Sequence, residues 1–133
     1  MKESSLVKAL LLVSGIIGIG IGGALLFAPV AFEASANIVI EENSNLLSEL
    51  RASGGTLFAA GILMLSGAFV YRMTYTSIVL STLFYLSYGL SRVFSIIIDG
   101  VPGETLVIAT VAELIIGFLS LFVLIKWIKN TSK

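Results

Sequence analysis

Cysteine and histidine are both absent from the 133 residues. Their absence excludes disulfides, thiol redox chemistry, ordinary haem ligation and the usual zinc sites. Charge is scarce too: Asp, Glu, Lys and Arg make up 12% of the chain, against about 25% in a soluble domain. Eight cationic and eight anionic side chains cancel, so no basic surface points to nucleic acid. Without thiols or imidazoles there is no nucleophile–base constellation. No catalytic residue, metal or cofactor is therefore expected.

What remains is hydrophobic: 57% of the residues, with a mean hydropathy of +1.06. The long apolar runs cover residues 6–27, 56–71, 75–98 and 106–127. A bilayer span needs roughly 20 mainly apolar residues, a length the second run reaches only by starting near Arg51. The expected fold is an all-α integral membrane protein, an antiparallel four-helix transmembrane bundle filling one domain over 1–133. Its approximate spans are 6–28, 50–71, 75–98 and 104–127, with an outer loop at 29–48. The first run exceeds the about 7–15 residues of a signal-peptide core, and the small-residue stretch Ala34–Ser35–Ala36 lies well beyond its end. It therefore reads as a span.

Cations collect on one side of such a chain: Lys2, Lys8, Arg72, Lys126, Lys129 and Lys133. Glu33, Glu41, Glu42, Glu49, Asp99 and Glu104 collect on the other, with Arg51 at its boundary. The positive-inside rule then puts both termini in the cytoplasm, with Tyr71 and Trp127 as interfacial aromatics. Arg72–Tyr75 and Asp99–Gly103 are expected as tight turns. Loop 29–48 is too polar to span and reads equally as a lid or a linker.

In the first run Ser14, Gly18 and Gly22 recur every fourth residue, a small-residue ridge that lets backbones approach in lipid. Gly54, Gly55 and Gly117 are expected to serve helix packing in the same way. Packing within the chain is favoured over a homodimer contact.

One residue interrupts the third run. Arg92 stands inside "YLSYGLSRVFSIIIDG", and a charge at the bilayer centre costs about 2.5–3.5 kcal/mol on insertion scales. Ser81, Tyr85, Tyr88, Arg92, Ser95 and Asp99 recur at helical spacing, so they form one face, expected to turn inwards. The other face, with Ile78, Leu86, Val93 and Ile97, is expected to meet lipid. Seven residues separate Arg92 from Asp99, and nine separate Glu113 from Glu104. At 1.5 Å per residue those are about 10 and 13 Å, which puts Arg92 and Glu113 at similar depth. Arg51 can reach the same region. The expected site is a buried charge cluster of Arg51, Arg92 and Glu113, walled by Tyr85 and Tyr88 and supported by Glu49, Glu33 and Asp99. Such a pair can simply fix helix register, or it can receive an anionic group.

The stretches "ELRASGGTLFAAGI", "GLSRVFSIIIDGVPGETL" and "AELIIGF" resemble the small four-helix bacterial membrane family numbered 4345 among the domains of unknown function. Glu49, Arg51, Ala52, Gly54, Gly55, Arg92, Asp99, Gly100, Pro102, Glu113 and Gly117 fit that family's pattern. The resemblance implies the bacterial inner membrane and supplies no activity. The leading expectation is a protein that binds a lipid or anionic amphiphile in the outer half of the bundle. A homo-oligomer, or an accessory or assembly subunit of a larger membrane complex, is the alternative. An ion- or proton-coupled transporter is less favoured, because the chain lacks paired broken helices.

Overall fold

The computed structural model describes residues 4–131. Lys2 and Lys133, two of the cations in the charge asymmetry, lie outside the described residues. The described residues form five helices: α1 (Ser4–Phe27), α2 (Pro29–Ser35), α3 (Ser44–Gly67), α4 (Tyr71–Asp99) and α5 (Glu104–Thr131). Among the described residues α1, α4 and α5 are long and apolar enough to cross a membrane. Helix α3 equals α1 in length at 24 residues, but Ser44, Asn45, Ser48, Glu49 and Arg51 make its first turns polar.

The segment between α1 and α3 is more ordered than a loop. Pro29 opens α2 at its first turn, where a missing N–H costs nothing. Asn37 follows at φ 64°, a left-handed conformation that asparagine tolerates. Helix α3 then starts at Ser44 because the Asn43 side chain caps it, accepting from the N–H groups of Asn45 and Leu46 at 2.8 and 3.3 Å. At the far end of α4, Gly100 turns the chain at φ 99°. The Gly103 carbonyl then accepts from the N–H groups of Leu106 and Val107 in the first turn of α5.

Residues 72–75 are not a turn. They form the first turn of α4, and the connection is Ala68–Val70. The reason lies in hydroxyls. Thr74 Oγ1 donates to the Gly67 carbonyl at 2.8 Å, and Ser77 Oγ donates to the Leu63 carbonyl at 2.7 Å. Two carbonyls at the end of α3 are thus bonded by side chains of α4, and no proline is needed as a breaker. Thr74→Val should cost about 1 kcal/mol, read as a lowered midpoint in thermal unfolding of the detergent-solubilised protein.

Helix α1 packs along α3, α5 along α4, and α3 joins the two pairs by lying against α4. Helices α1 and α5 meet mainly around a core of Val7, Leu10, Leu11, Ile78, Val123 and Trp127. Ile78 is fully buried there and Leu86 is half-buried against Gly117, so neither belongs to an outward face. Helix α4 has neighbours on more than one side, and two faces are therefore covered. Ile97 does stand outside, and Val93 is half-buried.

Glycine sets the closeness of the α1–α3 contact. Gly15 faces Leu65, Gly18 faces Gly61, and Gly22 faces Phe58 and Gly54. A Cβ on Gly61 would lie 2.6 Å from the Ile19 nitrogen and 2.8 Å from the Gly18 carbonyl carbon. One on Gly54 would lie 2.7 Å from the Leu26 nitrogen. These are backbone atoms, which cannot swing aside. The α4–α5 contact instead fits leucines into glycine notches, Leu114 on Gly89 and Leu86 on Gly117. Gly55 has ordinary spacing, 3.7 Å to a Leu26 methyl, and does not set an approach.

Candidate functional site

The polar face of α4 changes character along its length. At the level where three helices converge, Ser81 Oγ lies 3.0 Å from Ser14 Oγ of α1 and 2.7 Å from Ser120 Oγ of α5. All three serines are fully buried. One turn further, the buried Tyr85 hydroxyl donates to the Ser14 carbonyl at 2.5 Å. This chain of hydroxyls ties α1, α4 and α5 together, since each has few partners in an apolar interior apart from the others. Ser14 thus bonds to α4, while the glycines of the same helix carry the close approach to α3.

Beyond Tyr85 the face opens. Tyr88 is half-buried, its hydroxyl 3.5 Å from Ser53 Oγ of α3. Arg92 follows one turn later and donates through Nε to Glu113 Oε1 of α5 at 2.7 Å. The Arg92 side chain is 33% exposed and that of Glu113 15%. The guanidinium carbon stands 5.9 Å from the centre of the Tyr88 ring, close enough for cation–π attraction. Ser95 and Asp99 complete the face, both exposed, with the Ser95 hydroxyl donating to Asp99 at 3.0 Å.

The arrangement therefore assembles Arg92, Glu113 and Tyr88. The other expected members sit elsewhere. Arg51 is exposed, and its Nη1 donates to the Leu26 carbonyl at 2.6 Å. It thereby satisfies a carbonyl at the C-terminal end of α1, where helix polarity favours a cation. Tyr85 points its hydroxyl into the serine cluster. Glu33 on α2 is half-buried and Glu49 on α3 is exposed, and neither is a member of the Arg92–Glu113 pair. Among the described residues no group of three acidic, histidine or cysteine side chains can hold a metal.

The bond geometry leaves chemistry to spare. A guanidinium carries five N–H donors, and the ion pair is made through Nε. Both Nη groups stand outside that bond, in a side chain one-third exposed. A planar Arg fork of this kind suits carboxylate or phosphate oxygens.

Sequence reasoning did not connect Ser14, Ser81 and Ser120, although Ser14 and Ser120 are each a lone hydroxyl inside an apolar run. It also passed over Gly15, Gly61 and Gly89. Gly54 and Gly61 are one heptad apart, a repeat that could have marked them as one face.

A family model described as "Domain of unknown function (DUF4345)" matches residues 6–124, nearly the whole chain. No curated protein and no solved structure matches.

Proposed function

We propose that this chain, which belongs to the DUF4345 family, is a four-span antiparallel bundle that holds an amphiphile by its anionic head group at Arg92. Helix α3 serves as the fourth span alongside α1, α4 and α5, in a single domain with both termini cytoplasmic. Supporting the arrangement, contacts of rising number in α1 meet falling numbers in α3, from Gly15 on Leu65 to Gly22 on Gly54. Supporting the membrane setting, Ile108, Val111, Ile115, Phe118, Phe122 and Ile125 form an exposed stripe along α5 at helical spacing. That face suits lipid.

The observation that carries the head-group reading is the Arg92–Glu113 bond through Nε, at the point where the α4 face turns from buried to open. Glu113 holds the guanidinium in one orientation, Tyr88 flanks it, and the Nη groups supply donors to an oxyanion. The ligand's apolar part would lie along neighbouring helix faces. Arg51, bonded to Leu26, does not share the head group.

Native mass spectrometry of gently extracted protein tests this. The expected spectrum shows a stoichiometric small-molecule adduct that Arg92→Gln removes and Arg51→Gln retains. A second reading, an accessory subunit whose ion pair is a structural lock, draws on the fact that both arginines already have protein partners. Its mark would be larger polypeptide partners retained by both variants, with no adduct. In that case the contact would have to use a face other than the α1 glycine ridge, which α3 already covers.

A further inference from the structure

The opposite end of the bundle holds a cavity of about 260 Å³, lined by Lys8 of α1, Gly67 at the end of α3, Phe69 of the turn, Tyr71 and Thr74 of α4, and Trp127 of α5. This is smaller than the pockets of about 300–1,000 Å³ that enclose drug-sized ligands. Its volume suits a head group better than a whole lipid.

Three features give the cavity an electrostatic sign. Lys8 is exposed and lines it, with Nζ 5.2 Å from the centre of the Phe69 ring. Arg72, Lys126 and Lys129 belong to the same end, on the first turn of α4 and the last turns of α5. The described acidic side chains, Glu33, Glu41, Glu42, Glu49, Asp99, Glu104 and Glu113, all lie on segments towards the other end. The first turns of α1 and α4 border the cavity, but so do the ends of α3 and α5, so helix polarity cancels there and the sign rests on the side chains.

The walls are amphipathic. The rings of Tyr71 and Trp127 lie tilted by 42° with centres 5.8 Å apart, the residue types that settle at the level of lipid head groups. The cation–π contact that now occupies Lys8 is weak at an exposed position. A charge-assisted hydrogen bond to an oxyanion is stronger, so Lys8 can leave the Phe69 ring for such a partner.

We infer that this cavity is a second binding site, taking a phosphate oxyanion at Lys8 between the rings of Phe69, Tyr71 and Trp127. Its source is the phosphodiester head group of an anionic phospholipid. The glycerol backbone would rest at the aromatic rings and the acyl chains would run down the outside of the bundle. This site is independent of Arg92 and does not require the head-group reading proposed there.

Trp127 is the single tryptophan of the chain and lines the cavity, so its fluorescence reports occupancy directly. The protein, held in uncharged detergent micelles, is titrated with short-chain phosphatidylglycerol, with phosphatidylcholine, and with inorganic phosphate. Saturable change with phosphatidylglycerol is expected. It should weaken about tenfold or more in Lys8→Ala, the loss of one charge-assisted bond. Lys8→Arg should restore it, and Lys126→Ala, which removes equal charge outside the cavity lining, should leave it within twofold. Inorganic phosphate alone saturating the signal in the same concentration range would keep the oxyanion site and assign it to free phosphate. Equal weakening by Lys8→Ala and Lys126→Ala would reduce the effect to diffuse surface charge and overturn the site. So would equal responses to phosphatidylcholine and phosphatidylglycerol, or no saturable response in a protein whose unfolding midpoint is unchanged.

Discussion

Gly61→Val is expected to prevent α1 and α3 from docking, and with them the folded bundle. A Cβ at Gly61 meets the Ile19 nitrogen, the Gly18 carbonyl carbon and the Gly15 carbonyl oxygen, at 2.6, 2.8 and 3.0 Å. None of these is the end of a flexible side chain, so relief requires the two helices to move apart along their shared face. Overpacking a core costs about 1–3 kcal/mol where side chains can adjust, and more where they cannot. Here the cost should reach at least the top of that range. Separation would also forfeit the dispersion contacts that replace hydrophobic drive between helices in lipid.

The comparison is Gly20→Ala, in the same helix α1, where an added Cβ meets nothing within 4 Å. Alanine is favoured over glycine in a helix by about 1 kcal/mol, so Gly20→Ala should hold or raise the unfolding midpoint. Size-exclusion profiles and thermal melts of both variants, expressed in parallel, check the contrast. A folded Gly61→Val protein with an unchanged midpoint would mean that the α1–α3 approach is looser than described.

The second large effect belongs to the ion pair. Glu113→Leu leaves the Arg92 guanidinium without its partner, and Arg92→Leu does the same to the carboxylate. Losing one member should cost about 2.5–3.5 kcal/mol if the orphan stays within the membrane. The one-third exposure of Arg92 pulls the figure for Glu113→Leu towards the lower end, since the cation can turn outwards. The double variant Arg92→Leu/Glu113→Leu should recover most of the loss, because apolar replacement of a whole pair is often neutral or stabilising. A double-mutant cycle on unfolding midpoints measures this recovery. Additive losses would show that the two residues act separately, against the 2.7 Å bond between them.

The same variants separate stability from binding. If Arg92 is solely a lock, the double variant regains stability and nothing else is missing. If it holds a head group, the double variant is stable and carries no adduct. Val93→Leu, at the half-buried neighbouring position, should be milder than Arg92→Leu in both respects.

Much of this molecule was legible in one dimension. The long apolar runs and the sparse charge point to helices of membrane length, because an unbroken apolar run in lipid must satisfy its backbone internally. The periodicity through Ser81, Tyr85, Tyr88 and Arg92 identified one face of α4. Similar offsets from the Asp99–Gly103 turn brought Arg92 and Glu113 to a similar level, since two helices leaving a short turn share a common origin. The resemblance carried by "ELRASGG" and the Asp-Gly-x-Pro turn agrees with the family match.

Other features depended on packing. The first turns of α3 are polar enough to read as a loop, yet the Asn43 cap starts a helix there. Arg51 carries the same charge as Arg92, but its position beside the end of α1 turns it to the Leu26 carbonyl. Ile78 looks like any lipid-facing isoleucine until Val7, Leu11 and Trp127 close over it. The three serines lie in different helices, so no spacing within one helix could join them.

The sequence by itself determined the helical class, the apolar lengths, the polar face of α4 and the depth match between Arg92 and Glu113. Each follows from local periodicity or from distance along one chain. Tertiary structure alone decided which glycines touch backbone, which hydroxyls meet, where Arg51 spends its charge, and that a cavity lies beneath Lys8. Those depend on how helices approach one another within and between the two pairs, and that approach is set by the volumes of residues far apart in the chain.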